Sequence, residues 1–137
     1  MRMTGSFLDT DVILYAASSD AAKAEVANVL IRGGGTISVQ ILNETANVTR
    51  RKLGWTWTDI RAFLSTLQSL LDIQPVTIAV HDASLDLAER YQLSIYDALI
   101  AAAALQAGCG ILWSEDMQHG LVLHGSLRIA NPFIERI

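Results

Sequence analysis

The chain has 137 residues, of which 51% are hydrophobic and 18% are charged, and its formal net charge is −4. This length suits one domain with a buried core, and we expect residues 1–137 to form it, because no repeat, low-complexity tract or change of composition marks a boundary. The sole cysteine, Cys109, excludes an internal disulfide and fits a reducing cytoplasm. The longest apolar run, residues 98–105, is far shorter than the ~20 residues that cross a bilayer. Asp9 and Asp11 interrupt the apolar stretch near the N-terminus, so we expect neither a membrane span nor a secretory signal.

Short apolar strands alternate with helices along the chain. The predicted strands are residues 6–8, 36–38, 76–78, 111–113 and 127–129. The predicted helices are a short turn at 12–17 and longer segments at 21–31, 39–53, a helix capped by Thr58 or Asp59 that runs to 71, 81–91, and a helix that runs from an N-cap at Ser94 to Gln106. Glycines at 33–35 and 54, and Pro75, separate several of these elements. The alternation predicts an α/β fold, with helices on both faces of a mostly parallel sheet.

Five acidic side chains fall where such a sheet binds ligands, which is beyond the carboxyl ends of its strands. Asp9 and Asp11 follow the first strand, and Asp116 follows the fourth. Asp97 lies in the first turn of the most apolar helix, and Glu44 lies on the helix after the second strand. If a metal neutralised all five, the formal charge would change from −4 to +1, so the net charge does not exclude a nucleic-acid partner.

Each of these acids also has a purely structural interpretation. Asp11 could cap a helical turn, Asp97 could complete an N-terminal capping box, and residues 114–116 could form an exposed turn. Glu44 points away from the apolar stripe of its helix, so by itself it is expected to be solvated. Asp9 is harder to explain structurally, because a carboxylate at the end of a buried strand needs partners or a metal.

Four short blocks of sequence carry these acids. They are Phe7-Leu8-Asp9-Thr10-Asp11-Val12, Asn43-Glu44, Tyr96-Asp97-Ala98-Leu99-Ile100-Ala101 and Ser114-Glu115-Asp116-Met117-Gln118-His119-Gly120, with Asn131-Pro132-Phe133 near the C-terminus. In order and spacing the chain resembles the PIN-domain ribonucleases, in particular the toxin halves of VapBC toxin–antitoxin pairs. The segment 54–75 contributes no diagnostic residues.

The resemblance implies a three-layer α/β/α sandwich whose acidic pocket binds Mg²⁺ or Mn²⁺. Carried over position by position, the catalytic and metal-binding acids are Asp9, Glu44, Asp97 and Asp116. We expect the three aspartates to bind metal directly and Glu44 to bind a second ion or position a water, with Asp11 and Ser114 in auxiliary roles. The implied activity is that of a metal-dependent endoribonuclease, the toxin of a type II toxin–antitoxin system, with RNA as substrate, a cognate antitoxin as partner and a homodimer as assembly.

The sequence offers fewer candidates for substrate binding than for metal binding. The only basic run is Arg50-Arg51-Lys52. It could contact RNA phosphates, or it could simply be a solvated helix end that favours the helix dipole. Trp55 and Trp57 follow it, and we expect them to pack in the core or at an interface rather than to stack on bases. The three histidines lack the spacing of zinc ligands, and His119, although near Asp116, is expected to be a surface or structural residue.

Other classes of function fit less well. Asp9-Thr10-Asp11 resembles the first motif of haloacid-dehalogenase phosphatases, but these enzymes and phospho-acceptor receiver domains need a lysine after a late strand. The only lysines, Lys23 and Lys52, are not placed there. Two alternatives remain open, namely a PIN nuclease of RNA processing that has no antitoxin, and a non-catalytic PIN-like binding module.

Overall fold

A computed structural model describes residues 5–134 of the chain. In this range the strands are β1 (Ser6–Leu8), β2 (Thr36–Ser38), β3 (Asp72–Gln74), β4 (Ile111–Trp113), β5 (Val122–Leu123) and β6 (Leu127–Ala130). The helices are α1 (Thr10–Tyr15), α2 (Ala21–Arg32), α3 (Val39–Arg51), α4 (Trp57–Leu70), α5 (Ile78–Tyr91) and α6 (Ile95–Gln106). None of these helices has the length and apolar character that crossing a bilayer requires.

The strands form one sheet in the order β3-β2-β1-β4-β6-β5. All neighbours pair in parallel except β5, which runs antiparallel to β6. At the centre, Phe7 of β1 lies opposite Leu112 of β4 on one side and Thr36 of β2 on the other. The predicted α/β sandwich with a mostly parallel sheet is therefore confirmed, and β1, which leads to Asp9, is a central strand.

The core explains why these elements form where they do. The central strands are short and mostly buried, and Phe7, Leu8 and Leu112 have no exposed surface. Helix α6 buries all five of its alanines, so it occupies the interior position that its apolar sequence predicts. Every helix in the described part begins with a side chain that accepts a backbone N–H bond, and these N-caps are Asp9, Asp20, Ser38, Thr56, Thr77 and Ser94.

Several predicted boundaries are wrong. The third strand is Asp72–Gln74 and not residues 76–78, because its backbone pairs with β2 before Pro75. Thr77 instead caps α5 by accepting the Val80 N–H at 3.2 Å, so a β-branched run opens a helix. Helices α1, α4 and α5 each begin two or three residues earlier than predicted, and the two-residue strand β5 was not anticipated.

Candidate active site

The site lies where β1 and β4 end, side by side. Asp9 follows β1 directly, and its backbone N–H donates to the carbonyl of Trp113, the last residue of β4, at 2.9 Å. Ser114 follows β4 and is fully buried. Because the two strands are parallel neighbours, the segments that follow them meet at one edge of the sheet, as the sequence predicts.

Asp9 is the most buried acid of the site, with only 6% of its surface exposed. One carboxylate oxygen accepts the Thr10 N–H at 2.7 Å, and the other accepts the Ser114 hydroxyl at 2.7 Å. Burial nevertheless raises the pKa of Asp9 to about 6; the two hydrogen bonds oppose this, and the charges of Asp97 and Glu44 add to it. The protein thus holds a carboxylate whose ionised form is costly without a compensating cation.

Asp11 ties α1 to the segment after β4. Its Oδ2 accepts the backbone N–H groups of Glu115 and Asp116, both at 3.1 Å. Its Oδ1 is buried and has no hydrogen-bond partner. Burial, together with the charges of Asp9 and Asp116, raises the pKa of Asp11 to about 8. The helix cap considered for Asp11 is supplied by Asp9, so Asp11 organises the loop that carries Asp116.

Glu44 is turned toward the site. One of its oxygens accepts the Thr10 hydroxyl at 2.5 Å, and the other accepts the Gln40 side-chain amide at 2.8 Å. The same amide lies 3.3 Å from the backbone carbonyl of Tyr96, next to Asp97. The solvated position expected for Glu44 from helical periodicity is therefore wrong, because Thr10 of α1 and Gln40 on the same face of α3 both donate to it.

Asp97 lies in the first turn of α6, where its N–H donates to the Ser94 hydroxyl at 3.1 Å. Burial raises the pKa of Asp97, a hydrogen bond with Ser94 offsets part of the rise, and the charges of Asp116 and Glu44 add to it. Asp116 itself is exposed. The acids predicted for the site thus lie within electrostatic reach of one another, so the four sequence blocks meet at one edge of the sheet.

The chemistry of these donors fits a hard divalent cation. Carboxylate oxygens are the ligands that Mg²⁺ and Mn²⁺ prefer. The unpartnered Asp11 oxygen and the raised pKa of Asp9 are both features that a cation would relieve. Among residues 5–134, however, no three His, Cys, Asp or Glu side chains already stand as a metal-binding group. A bound ion would have to draw the carboxylates closer together.

The sequence analysis did not predict a cluster of contacts beside the site among Tyr15, Lys23, Glu115 and Phe133. Lys23 of α2 donates to Glu115 at 2.5 Å and to the Tyr15 hydroxyl at 3.2 Å, while that hydroxyl donates to Glu115 at 2.7 Å. The Lys23 ammonium also lies 4.6 Å from the centre of the Tyr15 ring and 5.1 Å from that of Phe133. The bond from Lys23 holds the pKa of Glu115 below its usual range. No local sequence pattern predicts this cluster, since Lys23 and Glu115 are 92 positions apart in the chain.

The candidate substrate contacts behave differently from one another. Arg50 stacks on the Trp57 ring at 4.9 Å and donates to the Trp55 carbonyl, so it packs against its own chain. Arg51 and Lys52 are exposed and, in the part of the chain described, have no hydrogen bond or ion pair through their side chains.

Two of these residues make contacts within the chain. Trp55 packs edge-on against Phe63, with ring centres 5.5 Å apart. His119 has a structural role, since its Nδ1 accepts the Asn131 N–H at 2.9 Å.

Comparison with known proteins identifies the family. The sequence pattern of the PIN domain matches residues 6–120, whereas no curated protein matches the chain. A toxin–antitoxin complex from Klebsiella pneumoniae shares the fold, with a TM-score of 0.71 and 18% identity over 93% of this chain and 97% of that one. Mycobacterium tuberculosis VapC20, a sarcin–ricin loop cleaving toxin, gives a TM-score of 0.63 and 19% identity over 81% of this chain and 89% of that one. VapBC2 from Rickettsia felis, bound to a DNA fragment from its promoter, gives 0.64 and 20% over 90% and 97%. With most of its length matched, the chain belongs to the PIN-domain family.

Proposed function

We propose that this chain is a metal-dependent endoribonuclease that hydrolyses RNA phosphodiester bonds, and that it is the toxin of a type II toxin–antitoxin pair. The observation that carries the proposal is the arrangement of Asp9, Glu44, Asp97 and Asp116, whose charges influence one another at the edge of the sheet. Membership of the PIN-domain family and the toxin–antitoxin proteins among its structural neighbours support the same reading.

The side chains around the acids prepare them before substrate arrives. Thr10 and Ser114 fix the two oxygens of Asp9, and Thr10 and Gln40 fix those of Glu44. Asp9, Asp97 and Asp116 would hold Mg²⁺ or Mn²⁺, which when bound would supply an activated water and neutralise charge on the phosphate. Glu44, oriented from both sides, is suited to position that water or to bind a second ion.

The proposed partners are RNA, a cognate antitoxin and a second copy of the chain. An antitoxin would lay a helix or strand on the toxin and place a basic side chain at the acids. Exposed apolar side chains, among them Ile78 (76% exposed) and Tyr96 (66%), provide surface that an assembly would cover. Co-expression with a small upstream gene product separates this proposal from an RNA-processing PIN nuclease that has no antitoxin.

The test is cleavage of transfer and ribosomal RNA by the purified protein in Mg²⁺, Mn²⁺ or EDTA. We expect metal-dependent cutting that is lost in Asp116→Asn and kept in Asp82→Asn. Both aspartates are exposed, so neither change should disturb folding, and only Asp116 belongs to the site. If the folded protein, free of antitoxin, cuts no RNA in any metal, a non-catalytic binding module is favoured. Cutting by Asp116→Asn at the wild-type rate would show that the site is misassigned.

A further inference from the structure

A groove of about 690 Å³ opens beside the candidate active site. Its lining includes the acids Asp11, Glu115 and Asp116, so a group bound in the groove lies next to a group held at the site acids. The volume falls within the range of roughly 300–1,000 Å³ that is typical of small-ligand sites and is ample for a nucleobase.

The lining of the groove is mixed in chemistry. It includes the apolar residues Leu14, Val48 and Trp55 and the hydroxyl-bearing residues Ser18 and Ser19. The edge-on contact with Phe63 fixes the Trp55 indole in place. An aromatic ring offers a stacking surface to any base, and hydroxyl groups can bond to the polar edge of that base. The lining therefore suits a flat heterocycle better than a purely aliphatic group.

The charges beyond the groove suit a polynucleotide backbone. Glu44, Val48 and Arg51 are spaced by four and then three residues, so they lie along one face of α3. Arg51 therefore stands about 10 Å along the helix axis from Glu44, at the far end of that face. Arg51 and Lys52 are exposed there, and no ion pair within residues 5–134 engages them. The face thus runs from acids that would bind a cation to free cations that can bind phosphate.

We propose that this groove is a base-binding subsite for single-stranded RNA. One unpaired base stacks on Trp55, the adjoining phosphate lies at the acids, and a phosphate farther along the strand meets Arg51. This deepens the proposed function and rests on it. A protein segment is the competing occupant, and the free cations together with the hydroxyl groups favour RNA over an apolar helix.

The test is fluorescence anisotropy with labelled hexanucleotides of A, C, G or U, in Ca²⁺ in place of Mg²⁺ to prevent cleavage. Trp55→Ala should weaken binding of at least one hexamer by about 5- to 150-fold, the range expected for loss of one stacked base. Trp55→Phe retains a stacking ring and should bind within a few-fold of the wild type. Trp57→Ala is the matched control, since Trp57 is 52% exposed and does not line the groove.

An abasic hexamer of the same length separates stacking from an indirect effect on folding. The wild type and Trp55→Ala should bind it equally, because the base is the group that Trp55 contacts. The subsite is refuted if Trp55→Ala binds every intact hexamer as the wild type does, or if it loses affinity for abasic and intact hexamers alike. It is also refuted if Trp55→Ala keeps RNA binding but loses an antitoxin. Cleavage in Mg²⁺ is scored separately: Trp55-dependent binding without any cleavage would overturn the nuclease proposal and leave the subsite standing.

Discussion

Replacing Asp9 with asparagine should stabilise the metal-free protein at neutral pH. Burial raises the pKa of Asp9 from 3.8 to about 6, so the folded state binds this proton more tightly than the unfolded state. This tighter proton binding contributes stability that is fully present below about pH 4 and is lost as the pH rises through 6. A difference of about two pH units corresponds to about 3 kcal/mol at pH 7 and above. Asparagine is neutral and can still accept the Thr10 N–H, while the Ser114 hydroxyl can turn to accept its amide.

The assay is thermal and urea denaturation in EDTA at pH 5, 6, 7 and 8. For a chain of this length the gain corresponds to a melting temperature higher by up to about 10 °C at pH 8, and by about half as much at pH 5, which lies midway between the pKa of 3.8 and that of about 6. Asp82→Asn makes the same chemical change on an exposed residue of α5 and should leave the pH dependence unaltered. If Asp9→Asn is no more stable than the wild type at pH 8, or follows the same pH profile, the buried carboxylate does not carry the cost assigned to it.

Three further changes test the surroundings of the site. Ser114→Ala removes the hydroxyl bonded to Asp9, so it should lower the free energy of unfolding by about 1–3 kcal/mol. It should also raise the pKa of Asp9 further, so that the loss of stability with rising pH extends to higher pH. Urea denaturation across the pH range measures both effects, and an unchanged dependence of stability on pH would contradict the second. Lys23→Met should lower the melting temperature, by an amount that shrinks in 1 M NaCl because the pair with Glu115 is partly exposed, whereas a salt-independent loss would point to packing instead. Mg²⁺ should raise the melting temperature of the wild type in a concentration-dependent way and that of Asp97→Asn much less, and equal shifts would remove Asp97 from the metal ligands.

The parts of the fold that the sequence predicts well are those set by neighbouring residues. Each of β1, β2 and β4 follows a glycine and has a buried apolar residue at its centre. Ser94 is recognisable as the cap of α6 because its partner lies three residues on. Strand β3 was misplaced because the choice between residues 72–74 and 76–78 is made by pairing with β2. That pairing is a contact with a distant segment, and β-propensity does not report it.

The site residues likewise differ in how well the sequence predicts their surroundings. Asp9 and Asp116 could be placed from the strand ends that precede them, because parallel strands bring those ends together. The environment of Glu44 could not, since Thr10, the donor to one of its oxygens, lies 34 positions away. Lys23 gives no sequence signal at all, because its partners come from α1, from the loop after β4 and from the C-terminal segment.

The connections from β1 to α1 and from β2 to α3 contain almost no residues. Only Asp9 separates β1 from α1, and β2 passes into α3 at Ser38 with no intervening residue. One residue inserted at the second connection would turn α3 by about 100° relative to the sheet and carry Glu44 away from its partners. The exposed turn at 124–126, between β6 and the edge strand β5, does not set the orientation of a helix in this way. An inserted residue should therefore be tolerated at that turn. The same insertion in either strand-to-helix connection should destroy the site, even if the core still packs.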